Sequence, residues 1–348
     1  MNLDKNNLEV MVGTSYTGSH WDQSVIHASH YANGDIQTLN AANKIDQGTG
    51  SGGSEWAIMS AFARVSYNYD SRYLISANMR ADGSSKLAPG HRWGYFPSVS
   101  AAWRISGEDF MKDQNAVSNL RLRAGFGLVG NQNIPNYGYN TIWSTSTTLD
   151  SFVFLNSGFN RGTNSGTYGN PDLRWETQKQ TNVGIDLAMF NNRFEFTAEW
   201  YKNVSEDLLY AVPVPTQAGV ANADVTMNAA SMENTGLEFS ATYRNRDNAL
   251  KYEISANMST LNNKVTSLGF GTESVIRGAY RTDVGQEIGK FYGWKYQGIA
   301  RSQSDLDNHA TQPGALVGDC LYEDVNGDGI IDAEDQTILG SGLPKVNF

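Results

Sequence analysis

Nine stretches of this 348-residue sequence alternate apolar with polar residues. In the two clearest stretches the apolar positions are Val99, Ala101, Trp103 and Ile105, and then Leu120, Leu122, Ala124, Phe126 and Leu128. The positions between them carry arginine, serine, alanine and glycine. A period of two places every other side chain on the same face of a β-sheet. The pattern therefore predicts an all-β fold whose strands have one apolar and one polar face.

The connections between these stretches are alternately short and long. The predicted strands cover residues 8–16, 57–69, 73–80, 97–106, 120–128, 183–189, 194–200, 237–243 and 252–258, with a further strand possible at 291–299. Tight turns follow Tyr69 and Met189, whereas nearly fifty residues separate Leu128 from Glu176. Short turns on one side and long loops on the other are typical of outer-membrane barrels.

The distribution of arginine separates two interpretations of this pattern. A soluble β-sandwich also alternates, but its strands are typically ~5–6 residues long, and several here approach the ~9–11 residues of a membrane strand. An arginine facing lipid at mid-membrane costs ~2–4 kcal/mol, and Arg64, Arg80, Arg104, Arg121 and Arg123 all fall on the polar face. We therefore expect a transmembrane antiparallel β-barrel, with the soluble sandwich as the alternative.

Composition narrows the possible environments and partners. The formal charge of −10 and the pI near 5.0 argue against a nucleic-acid partner. The single cysteine, Cys320, excludes an internal disulfide framework. The first residues lack the pattern of a secretory signal, and nine strands is an odd number, whereas single-chain bacterial barrels are normally even. We therefore expect residues 1–348 to be part of a larger barrel domain, whose export signal and other strands lie elsewhere.

Several longer motifs resemble one protein family. They are RADGSS at 80–85, RWGYFPSVSAAWRIS at 92–106, LRLRAGFGLVGNQ at 120–132, NPDLRWET at 170–177, ENTGLEF at 233–239, VGQEIGKFYG at 284–293 and DVNGDGIID at 324–332. In this collinear order they resemble the SusC/RagA family of TonB-linked outer-membrane nutrient receptors.

This resemblance implies a large barrel closed by an N-terminal plug domain, which is absent from this chain. It also implies a SusD-like lipoprotein as an extracellular lid, glycan or peptide substrates, and import energised by the TonB complex. The expected location is the outer membrane of a Gram-negative cell, with lipid around the barrel and no enzymatic activity. The alternative is a passive, porin-like channel.

An acidic loop at 324–335 is the strongest candidate for a metal site. Its spacing matches an EF-hand calcium loop, with a glycine at position six and a backbone carbonyl at position seven. The candidate ligands are Asp324, Asn326, Asp328, Ile330 through its carbonyl, Asp332 and Asp335. Ile331 would anchor the loop by packing. Because Asn and Asp also dominate ordinary turns, a calcium-free cluster of Asx turns is the alternative.

Other candidate sites carry less support. His20, His27 and His30 are predicted to share one polar loop, where solvated side chains are commoner than a metal site. Gly48, Gly50 and Gly53 match a dinucleotide fingerprint without the strand and helix that it requires. The polar-face arginines fit a plug contact or a hydrated wall better than an anion-selective site. Loop aromatics present flat faces suited to sugar rings, and these are Trp56, Tyr137, Tyr139 and Trp143.

Overall fold

The computed structural model of the protein describes residues 2–3, 5–31, 35, 38–45, 50–144, 151–153, 159–161, 164–213, 224–246, 250–269, 271–344 and 346–347. Helices in these ranges are short: one α-helix at Gln303–Asp307 and 3-10 turns at Leu39–Ala41, Ile105–Gly107, Asp109–Met111 and Ala333–Asp335. None of the helices described is long and apolar enough to cross a bilayer.

Strands dominate the described residues, and nine of them are at least nine residues long. They are β1 (Asn6–Val25), β2 (Gly50–Tyr69), β3 (Tyr73–Ser84), β4 (Trp93–Arg104), β5 (Val117–Asn131), β6 (Glu176–Met189), β7 (Phe194–Pro213), β8 (Asp224–Asn245) and β9 (Tyr252–Thr260). They correspond one to one with the nine alternating stretches of the sequence. The all-β prediction is thereby confirmed.

The nine strands form one antiparallel sheet in which each strand pairs with the next along the chain. Three short strands complete this sheet: Asn2–Leu3 beside β1, Asn262–Ser267 beside β8 and Val346–Asn347 beside β9. Such an up-and-down order needs only hairpin connections, which agrees with the short turns predicted from the sequence.

The register across the sheet places the two residue classes on opposite faces. Val65, Ala77, Val99 and Phe126 are successive cross-strand partners from β2 to β5. They belong to the apolar face, and Val65, Val99 and Phe126 are exposed. One residue along, the partners are Ser66, Ser76, Ser100, Gly125 and Asn182. These belong to the polar face, which also carries the five arginines named above.

Strand lengths are where the sequence-based expectations were wrong. β1 continues to Val25 rather than ending at residue 16, and β7 continues to Pro213 rather than ending near residue 200. In the β1 extension glycine, serine, histidine and aspartate occupy both faces, and in the β7 extension the run from Leu208 to Val212 is apolar on both faces, so the alternation ends while the backbone pairing continues. One strand is instead shorter than expected: β4 ends at Arg104, and Ile105 and Ser106, which were expected in this strand, form a 3-10 turn.

The predicted loop-like region after β9 contains several short strands. A four-stranded sheet joins Ser274–Arg277, Tyr280–Asp283, Lys290–Trp294 and Gln336–Gly340. In the same region, Tyr296–Ile299 pairs with Cys320–Tyr322 in a two-stranded sheet. Three further two-stranded sheets lie in loops earlier in the chain, and they pair Ala28–Tyr31 with Ala42–Ile45, Ile142–Ser144 with Asn164–Thr167, and Ser151–Val153 with Phe159–Arg161. The strand expected at 291–299 is therefore two strands in different sheets.

A buried apolar cluster lies at the long-loop end of the polar face. It contains Leu87, Phe96, Ile134, Leu173 and Trp175. The Phe96 ring meets Trp175 edge to face at 5.3 Å. A Cβ atom at Gly130 would lie 2.1 Å from the Phe96 ring, so glycine is required there. This cluster holds three segments, near residues 87, 134 and 173, against the wall of the sheet.

Candidate functional site

The apolar face of the sheet has the properties of a lipid-contacting surface. On β7 it carries Phe194, Phe196, Ala198 and Trp200, a run of ~20–24 Å at ~3.3 Å per residue. The next side chain on this face, Lys202, pairs with Glu233 at 2.8 Å. A stretch of this length matches the ~25 Å apolar band of outer-membrane barrels, and the ion pair marks where the band ends.

Aromatic side chains border this apolar band at the short-turn end. Tyr69 and Tyr73 lie 6.3 Å apart across the β2–β3 hairpin, and Tyr243 and Tyr252 lie 6.0 Å apart across the β8–β9 hairpin. Barrel strands carry such aromatic girdles at both membrane interfaces. The two tyrosine pairs therefore place this end of the sheet at the headgroup level of a bilayer.

A turn between β4 and β5 is tied to the same aromatic border. The Glu108 carboxylate accepts hydrogen bonds from the Tyr73 hydroxyl at 2.7 Å, the Trp103 indole at 2.9 Å and the Arg72 guanidinium at 3.2 Å. The bonds from Tyr73, Trp103 and Arg72 lower the pKa of Glu108. This cluster could not be predicted from the sequence, because its members come together only when the turn folds back on the strands.

The polar face carries a connected network of charges at its centre. Arg121 donates two hydrogen bonds to Asp186, at 2.7 and 2.9 Å. Arg123 lies 3.5 Å from Asp186 and also pairs with Glu199, which accepts a hydrogen bond from Asn182 at 3.2 Å. Because the arginines and carboxylates satisfy one another, this wall is polar without presenting a single-sign charge.

Charge is nevertheless distributed unevenly across the polar face. Strands β2 to β5 contribute mostly cations: Arg64, Arg80, Arg104, Arg121 and Arg123, with Asp82 as the anion. Strands β6 to β9 contribute mostly anions: Asp186, Glu195, Glu199, Glu238 and Glu253, with Arg244 as the cation. The Arg123–Glu199 pair lies at the boundary between the two regions.

A cavity of about 420 Å³ opens at the long-loop end. It lies where β2 continues past the end of β3. Its aromatic and titratable lining residues are Tyr16, His20, Glu55, Trp56, Arg92, Tyr137 and Tyr139. Of the four aromatic residues singled out from the sequence, Trp56, Tyr137 and Tyr139 line this cavity, whereas Trp143 belongs to the separate strand Ile142–Ser144. The expectation that Trp56 lies in a loop was wrong, because it lies within β2.

In the acidic loop, hydrogen bonds connect most of the predicted calcium ligands to backbone amides. Asp324 accepts from the amides of Gly327 at 2.6 Å and Gly329 at 2.8 Å. Asp335 is fully buried and accepts from the amides of Val325 and Asp332, each at 2.9 Å. The bonds from the amides of Asp332, Val325 and Asn326 lower the pKa of Asp335.

Other side chains of the acidic loop also accept hydrogen bonds from backbone amides. Asp328 accepts from the Ile330 amide at 2.8 Å, and Asn326 accepts from the Asp328 amide at 2.9 Å. Ile331 is buried, and its amide donates to the Thr311 carbonyl at 2.9 Å, which gives it the predicted anchoring position. In the described part of the chain, no three His, Cys, Asp or Glu side chains converge as a metal site would require. Calcium binding at this loop stays a prediction.

The histidine and glycine candidates are dispersed over several elements. His20 lies within β1, where it contacts Asp22 at 2.9 Å, and His30 lies in the strand Ala28–Tyr31. The expectation that these histidines share one loop with His27 was therefore wrong. Gly50 and Gly53 belong to β2, and Gly48 lies outside the described residues.

Comparison with known proteins agrees with this architecture. A family model described as "TonB dependent receptor-like, beta-barrel" matches residues 2–319. TonB-dependent receptor P39 of Formosa agariphila is 31% identical over an alignment covering 98% of this chain and 35% of that protein. TonB-dependent receptor SusC of Bacteroides thetaiotaomicron is 30% identical, covering 81% of this chain and 28% of SusC.

A solved structure of the RagAB peptide transporter superimposes with a TM-score of 0.81 at 26% identity, covering 99% of this chain and 36% of the matched chain. The chain thus spans about a third of the length of these relatives. The relatives are named as receptors and transporters rather than enzymes, as expected from the sequence. The chain belongs to the TonB-dependent receptor β-barrel family, in its SusC/RagA branch, and forms part of an outer-membrane β-barrel.

Proposed function

We propose that the protein to which this barrel wall belongs actively imports glycans, or alternatively peptides, across the outer membrane. The observation that carries this proposal is the two-faced sheet, with an apolar band of membrane thickness on one face and a satisfied charge network on the other. A wall of this kind separates lipid from a hydrated passage. Membership in the SusC/RagA branch supports nutrient import as the use of that passage.

We infer that import is energised by TonB acting on a plug domain carried by the rest of the protein. The uneven charge of the polar face supports this inference, because a folded domain seated against it can match both signs. Carboxylates on such a domain would face β2 to β5, and lysine or arginine side chains would face β6 to β9. A passive channel has no need for this complementarity, since water and ions screen wall charges.

A SusD-like lipoprotein is the proposed lid at the long-loop end. Strand extensions raise this end beyond the apolar band: β7 continues for eleven residues after Lys202, to Pro213. The four-stranded sheet presents the exposed aromatic side chains of Tyr280 and Trp294, and the neighbouring two-stranded sheet presents that of Tyr296. These features supply a structured surface on which a second protein can rest.

Deletion of the full-length gene tests the proposed function. The strain should lose growth on one or more members of a panel of purified glycans and peptides, and complementation with the intact gene should restore it. A strain lacking TonB should show the same loss if import is active. Normal growth of the deletion strain on every panel member would contradict import, and unchanged growth without TonB would favour the passive channel.

We also propose that the loop at 324–335 binds Ca²⁺ as a structural ion. Its oxygen ligands at positions one, three, five, nine and twelve support this, as do the positive φ angles of Gly327 and Gly329, at 77° and 86°, which permit the sharp bend. The bound ion would cross-link the loop, which is also tied to the strand Lys290–Trp294 because the Trp294 indole donates to the Asp332 carbonyl at 2.7 Å.

A further inference from the structure

We propose that the turn between β4 and β5 is a membrane anchor, which inserts the Phe110 side chain among the phospholipids of the periplasmic leaflet. Twelve residues, 105–116, form this anchor turn. By comparison, three residues connect β2 to β3 and four connect β6 to β7. The additional length lets the anchor turn fold back along the outside of the sheet. This surface is separate from the proposed passage, so the inference does not depend on what is imported.

Hydrogen bonds place the anchor turn on the apolar face of the sheet. Tyr73 and Trp103 are cross-strand partners on that face, and Tyr73 lies beside Tyr69 in the aromatic border. The Glu108 carboxylate accepts hydrogen bonds from both the Tyr73 hydroxyl and the Trp103 indole. A carboxylate bonded to two outward-facing aromatic side chains lies on the lipid side of the wall. The turn that carries it therefore folds toward the bilayer.

Further contacts hold the anchor turn in this position. A Cβ atom at Gly107 would lie 3.1 Å from the Cγ atom of Arg72, so the backbone packs closely on the Arg72 side chain. At the other end of the turn, the Gln114 side chain accepts from the Val117 amide at 2.6 Å and donates to the Val117 carbonyl at 2.8 Å. The turn is thus fixed to the wall at both ends before it meets lipid.

Phe110 is the apolar side chain that this turn presents. It lies in the 3-10 turn Asp109–Met111 and is 70% exposed. Exposed apolar surface of this kind marks a contact with a membrane or a protein. Because the turn rests against the aromatic border, its position is continuous with the surface that contacts lipid. The boundary between headgroups and acyl chains, where apolar side chains insert, is therefore the environment that the ring meets.

A neighbouring turn presents a second phenylalanine at the same edge of the sheet. The Phe190 amide, in the β6–β7 turn, donates to the Ala116 carbonyl at 2.9 Å. This bond joins the β6–β7 turn to the end of the anchor turn. Phe190 is 53% exposed. The two connected turns thus add apolar contacts next to the aromatic border rather than at a distance from it.

The charges of the anchor turn indicate that apolar contact, rather than attraction to anionic headgroups, would hold it. Residues 105–116 contain three acidic side chains and one lysine. Lys112 pairs with Asp109 at 2.5 Å, and Arg72 pairs with Glu108 at 3.2 Å. Binding to anionic lipid relies on clusters of unpaired lysine and arginine. We therefore expect the turn to insert into zwitterionic lipid as well as into anionic lipid.

Spin labelling of the purified full-length receptor in liposomes tests the anchor. The liposomes contain phosphatidylcholine, with or without phosphatidylglycerol. Phe110→Cys carries a nitroxide in a receptor whose other cysteines, Cys320 among them, are replaced by serine. The label should collide more often with oxygen, which concentrates in lipid, than with a water-soluble nickel chelate. Leu316→Cys is the matched control with the opposite expected preference, because Leu316 is also 70% exposed but lies between β9 and the strand Val346–Asn347.

A second variant tests how the turn is held. In the labelled receptor, Glu108→Ala removes the bonds to Tyr73 and Trp103, so the label at position 110 should become more accessible to the nickel chelate. Equal nickel accessibility at positions 110 and 316 would overturn the anchor and leave the turn in water, where a periplasmic protein could bind it. Insertion that requires phosphatidylglycerol and disappears in high salt would overturn the apolar mode of binding. None of these measurements requires transport, so their result is independent of the proposed import function.

Discussion

Single residues decide how the short turns form and how they are held at the membrane interface. Asp70 and Ser71 have φ angles of 52° and 54°, and Asn191 and Asn192 have φ angles of 56° and 60°. Tight hairpins that match strand twist need positive φ, which Asn and Asp tolerate best. These turns were predictable from residue type. The contacts of Glu108 were not predictable, because its partners Tyr73 and Arg72 lie 35 and 36 residues before it in the sequence. Its third partner, Trp103, lies five residues before it.

Glu108→Gln should destabilise the protein at neutral pH and have little effect in acid. Because hydrogen bonds hold the folded-state pKa of Glu108 below its usual value, its contribution is complete above the unfolded pKa of ~4.3 and is lost as pH falls through the folded pKa. The measurement is the heat-denaturation midpoint of the full-length receptor in detergent between pH 3 and 8. Asp113→Asn, in the same turn and exposed, is the control. A difference between wild type and Glu108→Gln that persists unchanged at pH 3 would contradict this account.

At the scale of the strand, neighbouring residues experience different environments because their side chains point to opposite faces. The alternation located all nine long strands but not their ends, since backbone pairing continues where both faces take residues of the same kind, polar in β1 and apolar at Leu208–Val212 of β7. His20 illustrates the difference: it follows the last clear alternation, yet it pairs with Glu55 in the β1–β2 register. Outside the apolar band, no hydrophobic penalty forces the alternation to continue.

An arginine placed on either face of β4 distinguishes the two environments. Val99→Arg, on the apolar face, should cost ~2–4 kcal/mol of stability in the bilayer, since it exposes a charge to lipid. Ser100→Arg, one residue along on the polar face between Ser76 and Gly125, should be nearly neutral. Reversible unfolding of the full-length receptor from liposomes by denaturant measures both. Equal losses for the two variants would mean that the apolar face does not contact lipid.

The acidic loop yields a prediction for metal addition. Ca²⁺ at about 100 times its dissociation constant should stabilise the folded protein by ~2.7 kcal/mol, read as a rise in the denaturation midpoint. Asp324→Ala and Asp328→Ala should abolish this rise. Glu334→Gln, at position eleven of the loop and exposed, should retain it. If the calcium-dependent shift is unaffected by Asp324→Ala and Asp328→Ala, the loop is a cluster of Asx turns without a metal.

At the scale of the whole molecule, the sheet combines a lipid surface, a polar wall and a loop platform in one chain. The buried cluster around Phe96 connects the last two, because it holds segments near residues 87, 134 and 173 against the wall. The chain spans about a third of the length of its relatives, and the passage, the plug and the separate lid lipoprotein are proposals for the whole receptor.

The sequence by itself determined the fold class, the nine strands, the membrane-facing residues and the family. These follow from local rules, since the period of two and the turn residues act over a few neighbours, and the motifs can be read in order along the chain. The candidate calcium ligands were found in the same way, from spacing within twelve residues.

Only the tertiary structure decided which distant side chains meet. Arg121 and Asp186 are separated by dozens of residues in the sequence, as are Glu108 and Tyr73, and each pair comes together through strand register or the folding of a turn. Register depends on the sum of many cross-strand contacts rather than on any local pattern. For that physical reason the cavity, the charge network and the interface cluster emerged only from the folded sheet.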